Sequence, residues 1–295
     1  MKNIYMRFLW TILLSILFIP CFSQETKVTA RDIDFAFYLL EGRKFDEVVM
    51  LLNHKHNQQE IEWKNTQQDS VDYILGMTYY YQKELEKSAY HLSNVSISSP
   101  FYTKSTFFSA LDYAHLGAYS KSQTIIEKYT EIDSNYSELV TLELAGLALL
   151  NRDFATFDRH AKDFRFDQYY YANSEAQLMN VRKTLGNYKK KSPFMAGFLS
   201  TVVPGLGKVY TGHIGEGVAS FLTVGSLAAI TAENWAKNGI VDWKTITFGT
   251  LFSVFYIGNI YGSVATVKVY RMQFNEKQNN IILLGIHIPI RTLFE

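Results

Sequence analysis

The chain has 295 residues, room for about two domains. Its 29 Lys and Arg stand against 28 Asp and Glu, so no global field recruits nucleic acid. The single cysteine, Cys21, excludes an intrachain disulfide framework and a cysteine-based zinc site. With 15% aromatic residues and only five prolines, the composition excludes a mostly disordered chain and points to helices.

Residues 1–24 read as a secretory signal. Lys2 and Arg7 form a basic leader, and residues 8–19 are apolar except for Thr11 and Ser15. Pro20 then breaks the helix, and Cys21 and Ser23 put small residues where a signal peptidase reads them. The expected signal peptide is 1–23, with Gln24 opening the mature chain. A lipoprotein acylated at Cys21 is the rival reading, against which stand Pro20 and the large Ile19 and Phe18. An uncleaved anchor is the third, and its apolar core is short against the roughly 20 residues a span needs.

From 28 to 190 four segments share one grammar: an apolar helix, a short polar turn, an aromatic residue or leucine, and a second helix. Aligning the turn residues Phe45, Leu85, Tyr119 and Phe154 gives spacings of 40, 34 and 35 residues. Turns are expected at 42–45, 82–85, 117–119 and 151–154. The extra residues of the first spacing fall in the polar stretch 53–70, read as a loop insertion. A terminal helix over 169–188 would cap the array, starting near Ser174, with Glu175, Arg182 and Lys183 on its wet side. A period near 34, with Gly76 and Ala89 at small-residue positions, resembles the tetratricopeptide repeat. The resemblance implies stacked helical hairpins, because one hairpin alone has too little apolar surface to bury. It further implies a concave groove that takes a protein or peptide partner.

The composition changes after Lys189, Lys190 and Lys191. Residues 193–271 read as a small membrane domain with transmembrane helices at about 214–235 and 245–267. Trp235 and Trp243 flank the connector 236–242, as interfacial indoles do. The preceding segment 194–212 is apolar but interrupted by Pro204, Gly205 and Gly207. Backbone freed in this way cannot face lipid, so a re-entrant, interfacial or buried piece is expected. The run Pro204-Gly205-Leu206-Gly207-Lys208-Val209-Tyr210, followed by Gly217, resembles the signature of a bacterial two-transmembrane-helix domain of unknown function. The stretch from Tyr256 through Gly258, Asn259 and Gly262 resembles the end of the same domains. That likeness implies an inner-membrane module and implies no activity.

Gly258 and Gly262 form a small-xxx-small pair, expected to pack on Gly217, Gly225 and Ser226 of the first span, with homo-oligomerisation as the alternative. Asn259 is expected to bond backbone freed near Pro204. A cleaved signal sets the repeat domain in the periplasm. The basic residues Lys189 to Lys191, Lys268 and Arg271 pull the other way, since positive flanks favour the cytoplasm. Two passes plus a re-entrant piece over 194–212 are the preferred arrangement, with three passes as the alternative. Residues 272–295 are read as a C-terminal tail, with 281–290 as an interfacial or packed extended segment.

No phosphate-binding loop, metal site or cofactor site is expected. His54 and His56, near Glu60, lack the spacing of a zinc helix and fall in the proposed loop. His91, His115 and His160 read as repeat-surface residues. The expectation is an all-α protein that is not an enzyme. It would be a membrane-anchored periplasmic interaction scaffold in the bacterial inner membrane, partnered by a protein or peptide and the lipid bilayer. The alternative is an envelope-biogenesis or transport component whose hairpin is the active part.

Overall fold

A computed structural model describes residues 30–56, 65–130 and 135–294. The fold is all-α, with thirteen α-helices and no strand among the described residues. The expected signal peptide and Glu60 lie outside those residues. The chain divides into two compact units, Met1–Leu116 and Gly117–Glu295.

The first unit holds α1 (Ala30–Glu41), α2 (Phe45–His56), α3 (Asn65–Gln82), α4 (Leu85–Asn94) and α5 (Tyr102–His115). Helix α3 packs on α1, α2 and α4, and α4 packs on α5. Ala36, Val48, Ile74, Ala89, Phe107 and Phe108 are fully buried between them. A Cβ at Gly76 would stand 2.5 Å from Leu92 Cγ, so the glycine sets how closely α3 and α4 approach. The polar stretch 53–70 is not wholly a loop: α2 continues through His54 to His56, and α3 starts at Asn65. Good helix formers such as Gln67, Gln68 and Lys55 let the flanking helices absorb part of the insertion.

The second unit holds α6 (Tyr119–Thr130), α7 (Ser137–Leu150), α8 (Phe154–His160), α9 (Ala172–Gly186), α10 (Pro193–Val202), α11 (Leu206–Tyr210), α12 (Ile214–Asn238) and α13 (Trp243–Phe294). Its water-type core centres on α7, which packs on α6, α8, α9 and α13. A Cβ at Gly146 would come within 2.3 Å of Ile286 Cγ2, so α7 and α13 meet at that glycine. Helix α9 starts at Ala172, with Ser174 in its first turn and buried. Glu175 is not on the wet side. It is buried and accepts the N–H groups of Phe166 (2.7 Å) and Arg165 (3.4 Å), holding Phe166 at φ +59°.

The four turn residues Phe45, Leu85, Tyr119 and Phe154 each stand at the first position of a helix. Two positions before each stands a left-handed residue: Arg43, Lys83, Gly117 and Arg152. At Arg43, Lys83 and Arg152 the same two backbone bonds close the preceding helix. Lys83 N–H, for example, donates to Tyr80 O (3.0 Å), and Glu84 N–H donates to Tyr79 O (2.9 Å). This is the Schellman closure, which satisfies carbonyls that the helix end leaves unpaired.

Helix α13 departs most from expectation, because one helix of 52 residues replaces a span, a tail and an extended segment. Pro289 lies inside it. Lys268 and Arg271 change the polarity of the helix without ending it. Residues 282, 286 and 290 recur at helical spacing and give the last turns an apolar face, buried on α7 and α9. The expected boundary near 190–193 therefore falls inside Gly117–Glu295 and not between compact units.

Helices α12 and α13 are each long and apolar enough to cross a membrane. In their most apolar 18-residue windows only 11% and 22% of residues are buried, where a soluble core helix would be mostly buried.

Candidate functional site

The apolar part of the second unit is built inside out. Helix α10 buries Ala196, Gly197 and Ser200 and exposes Phe194, Phe198 and Val202. Helix α12 buries only Gly217 and Val224 and exposes Ile214, Val218, Phe221 and Leu222. The first half of α13 buries Asn259, Ser263 and Thr266 and exposes Val254, Ile257 and Tyr261. Apart from Val224 and Val267, small and polar groups meet in the middle, and many large apolar groups point away from it.

The middle is a hydrogen-bonded seam. Ser192 caps α10 with its side chain, and Pro193 sits at the first helical position, where its missing N–H costs nothing. The chain then turns at Gly205, whose φ of +86° favours glycine. Asn259 Oδ1 accepts the Gly205 N–H at 3.1 Å, the kind of bond the sequence expects for Asn259. Ser200 Oγ accepts the Gly207 N–H at 2.9 Å and donates to Ser263 Oγ at 2.7 Å. Ser263 Oγ in turn reaches Asn259 O at 2.9 Å. Tyr256 OH donates to Thr201 O at 2.7 Å. Asn259 and Ser200 thus answer N–H groups of the turn, Tyr256 a carbonyl near the end of α10, and Ser263 ties Ser200 to α13.

The glycines do different work from that expected of them. A Cβ at Gly205 would fall 2.0 Å from Gly217 O, and one at Gly207 would fall 2.0 Å from Ala196 O. A Cβ at Gly217 would stand 2.5 Å from Val209 Cγ2. These three, with Pro204 at the turn, carry the close approach. Gly258 and Gly225 have nothing within 4 Å, and Gly262 only touches the end of Lys208 at 3.6 Å. The expected packing of the Gly258–Gly262 face on Gly217, Gly225 and Ser226 is therefore corrected. The face of α13 that meets its neighbours runs through Asn259 and Ser263, one position on.

Beside the seam lies a cleft of about 350 Å³ lined by Lys208, Glu216, Ser220, Phe255, Gly258 and Asn259. Lys208 Nζ donates to Ser220 Oγ at 3.0 Å. At the end of the seam, Tyr210 OH accepts the Ser192 N–H at 3.2 Å, and Tyr210 O accepts from Lys191 Nζ at 2.6 Å. The Lys191 ammonium also stands 4.4 Å from the Tyr270 ring centre, a cation–π distance.

No cluster of three or more His, Cys, Asp or Glu among the described residues is placed to hold a metal ion. His91 is not a free surface residue: its Nδ1 lies 2.8 Å from Asp72 Oδ1. His115 and His160 are pushed below the usual imidazole range by burial. The sequence reading gave Ser200 and Ser263 no role and named Tyr256 only within a motif. Their signal was present: Asn259, Ser263 and Thr266 recur at helical spacing in an uncharged run, which marks one polar face. Comparison of the chain with protein-family models, with curated proteins and with solved structures found no match in any of the three.

Proposed function

We propose that the chain is a membrane-anchored interaction scaffold, in which helical hairpins of tetratricopeptide type hold a protein or peptide partner and the apolar helices hold the assembly in a bilayer. One observation carries the anchoring. A single stripe runs along α13 on its buried side, and its chemistry inverts. From Asn259 to Thr266 its buried residues are polar and small, Val267 and Gln278 follow, and from Ile282 to Ile290 they are apolar. In water a helix buries its apolar stripe, whereas in lipid small and polar residues line helix contacts. The inversion near Lys268 and Arg271 is what a helix leaving a bilayer for water requires.

On this reading the chain works in the bacterial inner membrane with its repeat part in the periplasm, and it is not an enzyme. The partner-binding half is supported by apolar residues exposed in the first unit. Phe35 and Tyr38 stack at 6.3 Å on α1, and Tyr90 is 62% exposed on α4. The Lys208 and Glu216 cleft favours a second reading, a transport or envelope-biogenesis component, since ionisable residues inside a membrane domain mark functional paths.

Photo-crosslinking residues placed at Tyr38 and Tyr90, and separately at Phe221 and Phe255, test the two readings in native membranes. Recovery of one protein from both Tyr38 and Tyr90 is expected of a scaffold. Crosslinks to protein only from Phe221 and Phe255 would replace it with the second reading.

A further inference from the structure

A second cleft, of about 620 Å³, opens in the second unit between the ends of α7, α8 and α9 and the middle of α13. Its volume is that of a small-molecule site. Leu150, Phe154 and Leu185 form its apolar floor, and Tyr188 stacks on Phe274 with ring centres 3.9 Å apart. Its charged lining is cationic throughout: Arg152, Lys190 and Arg271, with no carboxylate among the lining residues.

The acceptors of its two asparagines are already taken. Arg152 Nη2 donates to Asn279 Oδ1 at 2.8 Å and to Asn275 Oδ1 at 3.2 Å. That turns both amide oxygens toward the guanidinium and leaves both Nδ2 groups as donors. Arg271 Nη2 is tied to Lys191 O at 2.5 Å, which fixes the guanidinium plane. Arg271 Nε and Tyr188 OH are buried without a partner. Burial raises the Tyr188 phenol above its usual range, so it keeps its proton. Buried donors without acceptors are costly, and three cations gathered without a carboxylate repel one another. An oxyanion seated among them would supply the acceptors and offset the repulsion.

We infer that this cleft binds a phosphate-class oxyanion, held by Arg271 Nε, Tyr188 OH, the Lys190 ammonium and the Asn275 and Asn279 amides. Its neighbours suggest where the phosphate comes from. Lys191 bonds the last helical carbonyl of α11, and Arg271 lies four residues past the apolar run of α13. The headgroup of an anionic phospholipid and free phosphate share the chemistry the cleft recognises. The lipid source rests on the membrane reading above, and the anion site itself does not.

The test uses the full chain in neutral detergent, titrated by calorimetry with dihexanoyl-phosphatidylglycerol, with dihexanoyl-glycerol lacking the phosphate, and with inorganic phosphate. Binding of the phospholipid but not of the diacylglycerol is expected. Lys190→Gln should weaken it about tenfold, the loss of one charge-assisted contact. Lys190 makes no contact that the fold depends on, so this variant stays informative if Arg271→Gln fails to fold. Binding of inorganic phosphate as well identifies the free anion as sufficient, and binding of the phospholipid alone identifies the headgroup. Equal binding of phospholipid and diacylglycerol, no binding of either phosphate, or an unchanged affinity in Lys190→Gln overturns the site. A chain that binds inorganic phosphate yet is washed from membranes by alkaline carbonate would sink the membrane reading and leave the site standing.

Discussion

Asp112 gives the first unit a pH-dependent stability whose size follows from its surroundings. The carboxyl is fully buried on α5; its Oδ2 accepts from Ser88 Oγ at 2.5 Å, and its Oδ1 has no partner. Burial opposes charge more than the Ser88 bond favours it, so the acid is pushed up to about 7. An acid raised in the fold binds its proton more tightly folded than unfolded. Its contribution is therefore fully present below the unfolded value of 3.8 and is lost as pH rises through about 7. Between pH 5 and 8 the linkage amounts to roughly 3 kcal/mol, at about 1.4 kcal/mol per unit, as an upper bound.

Asp112→Asn keeps an acceptor for Ser88 and cannot ionise. The native chain should lose up to about 3 kcal/mol of local stability from pH 5 to 8, and the asparagine variant should lose this slope. Hydrogen exchange at the amides of α4 and α5 in the full chain, corrected for intrinsic rates at each pH, reads the opening free energy directly. Equal slopes in the two proteins would refute the claim that a buried, neutral Asp112 stabilises this unit.

Four further outcomes follow from the glycines and the turns. Gly205→Ala, whose Cβ meets Gly217 O at 2.0 Å, should cost at least the about 1–3 kcal/mol of overpacking in detergent melts. Gly258→Ala should be neutral or stabilise by up to about 1 kcal/mol, and a loss there would restore the rejected packing face. Gly146→Ala should destabilise the α7–α13 contact, and adding Ile286→Leu, which removes the methyl at 2.3 Å, should recover most of the loss in a double-mutant cycle. Lys83→Gly should raise the unfolding midpoint by about 0.5–1 kcal/mol equivalent, because Lys83 holds φ +64°. An unchanged or lowered midpoint would show that the left-handed turn carries no strain.

Local patterns were the legible part of this chain. Phe45, Leu85, Tyr119 and Phe154 open helices because the polar turn before each ends one helix within a few residues of the next start. The left-handed residues that make those turns were less visible, since Arg43, Lys83 and Arg152 are not the glycines such positions favour. Glu175 was misplaced for a related reason: a carboxylate on a helix reads as solvent-facing until a backbone bend supplies two N–H donors to it.

The Gly258–Gly262 face failed through geometry that spacing alone does not show. Two glycines four apart define a face, but they do not say which neighbour meets it. Gly258 and Gly262 precede Asn259 and Ser263 by one position, about 100° around the helix. The buried side is chosen by groups that need partners, and Asn259 and Ser263 have them in Gly205 N–H and Ser200 Oγ. The same side continues past Arg271 as Ile282, Ile286 and Ile290. A reading that divides the chain where composition changes cuts α13 at 271, where the backbone ladder is unbroken. What changes there is the chemistry of the buried stripe, from hydrogen-bonding groups to aliphatic ones. A continuous helix whose buried face inverts in this way carries both the seam and the contact with α7 and α9. Between those two stretches the same helix supplies Arg271, Phe274, Asn275 and Asn279 to the cationic cleft.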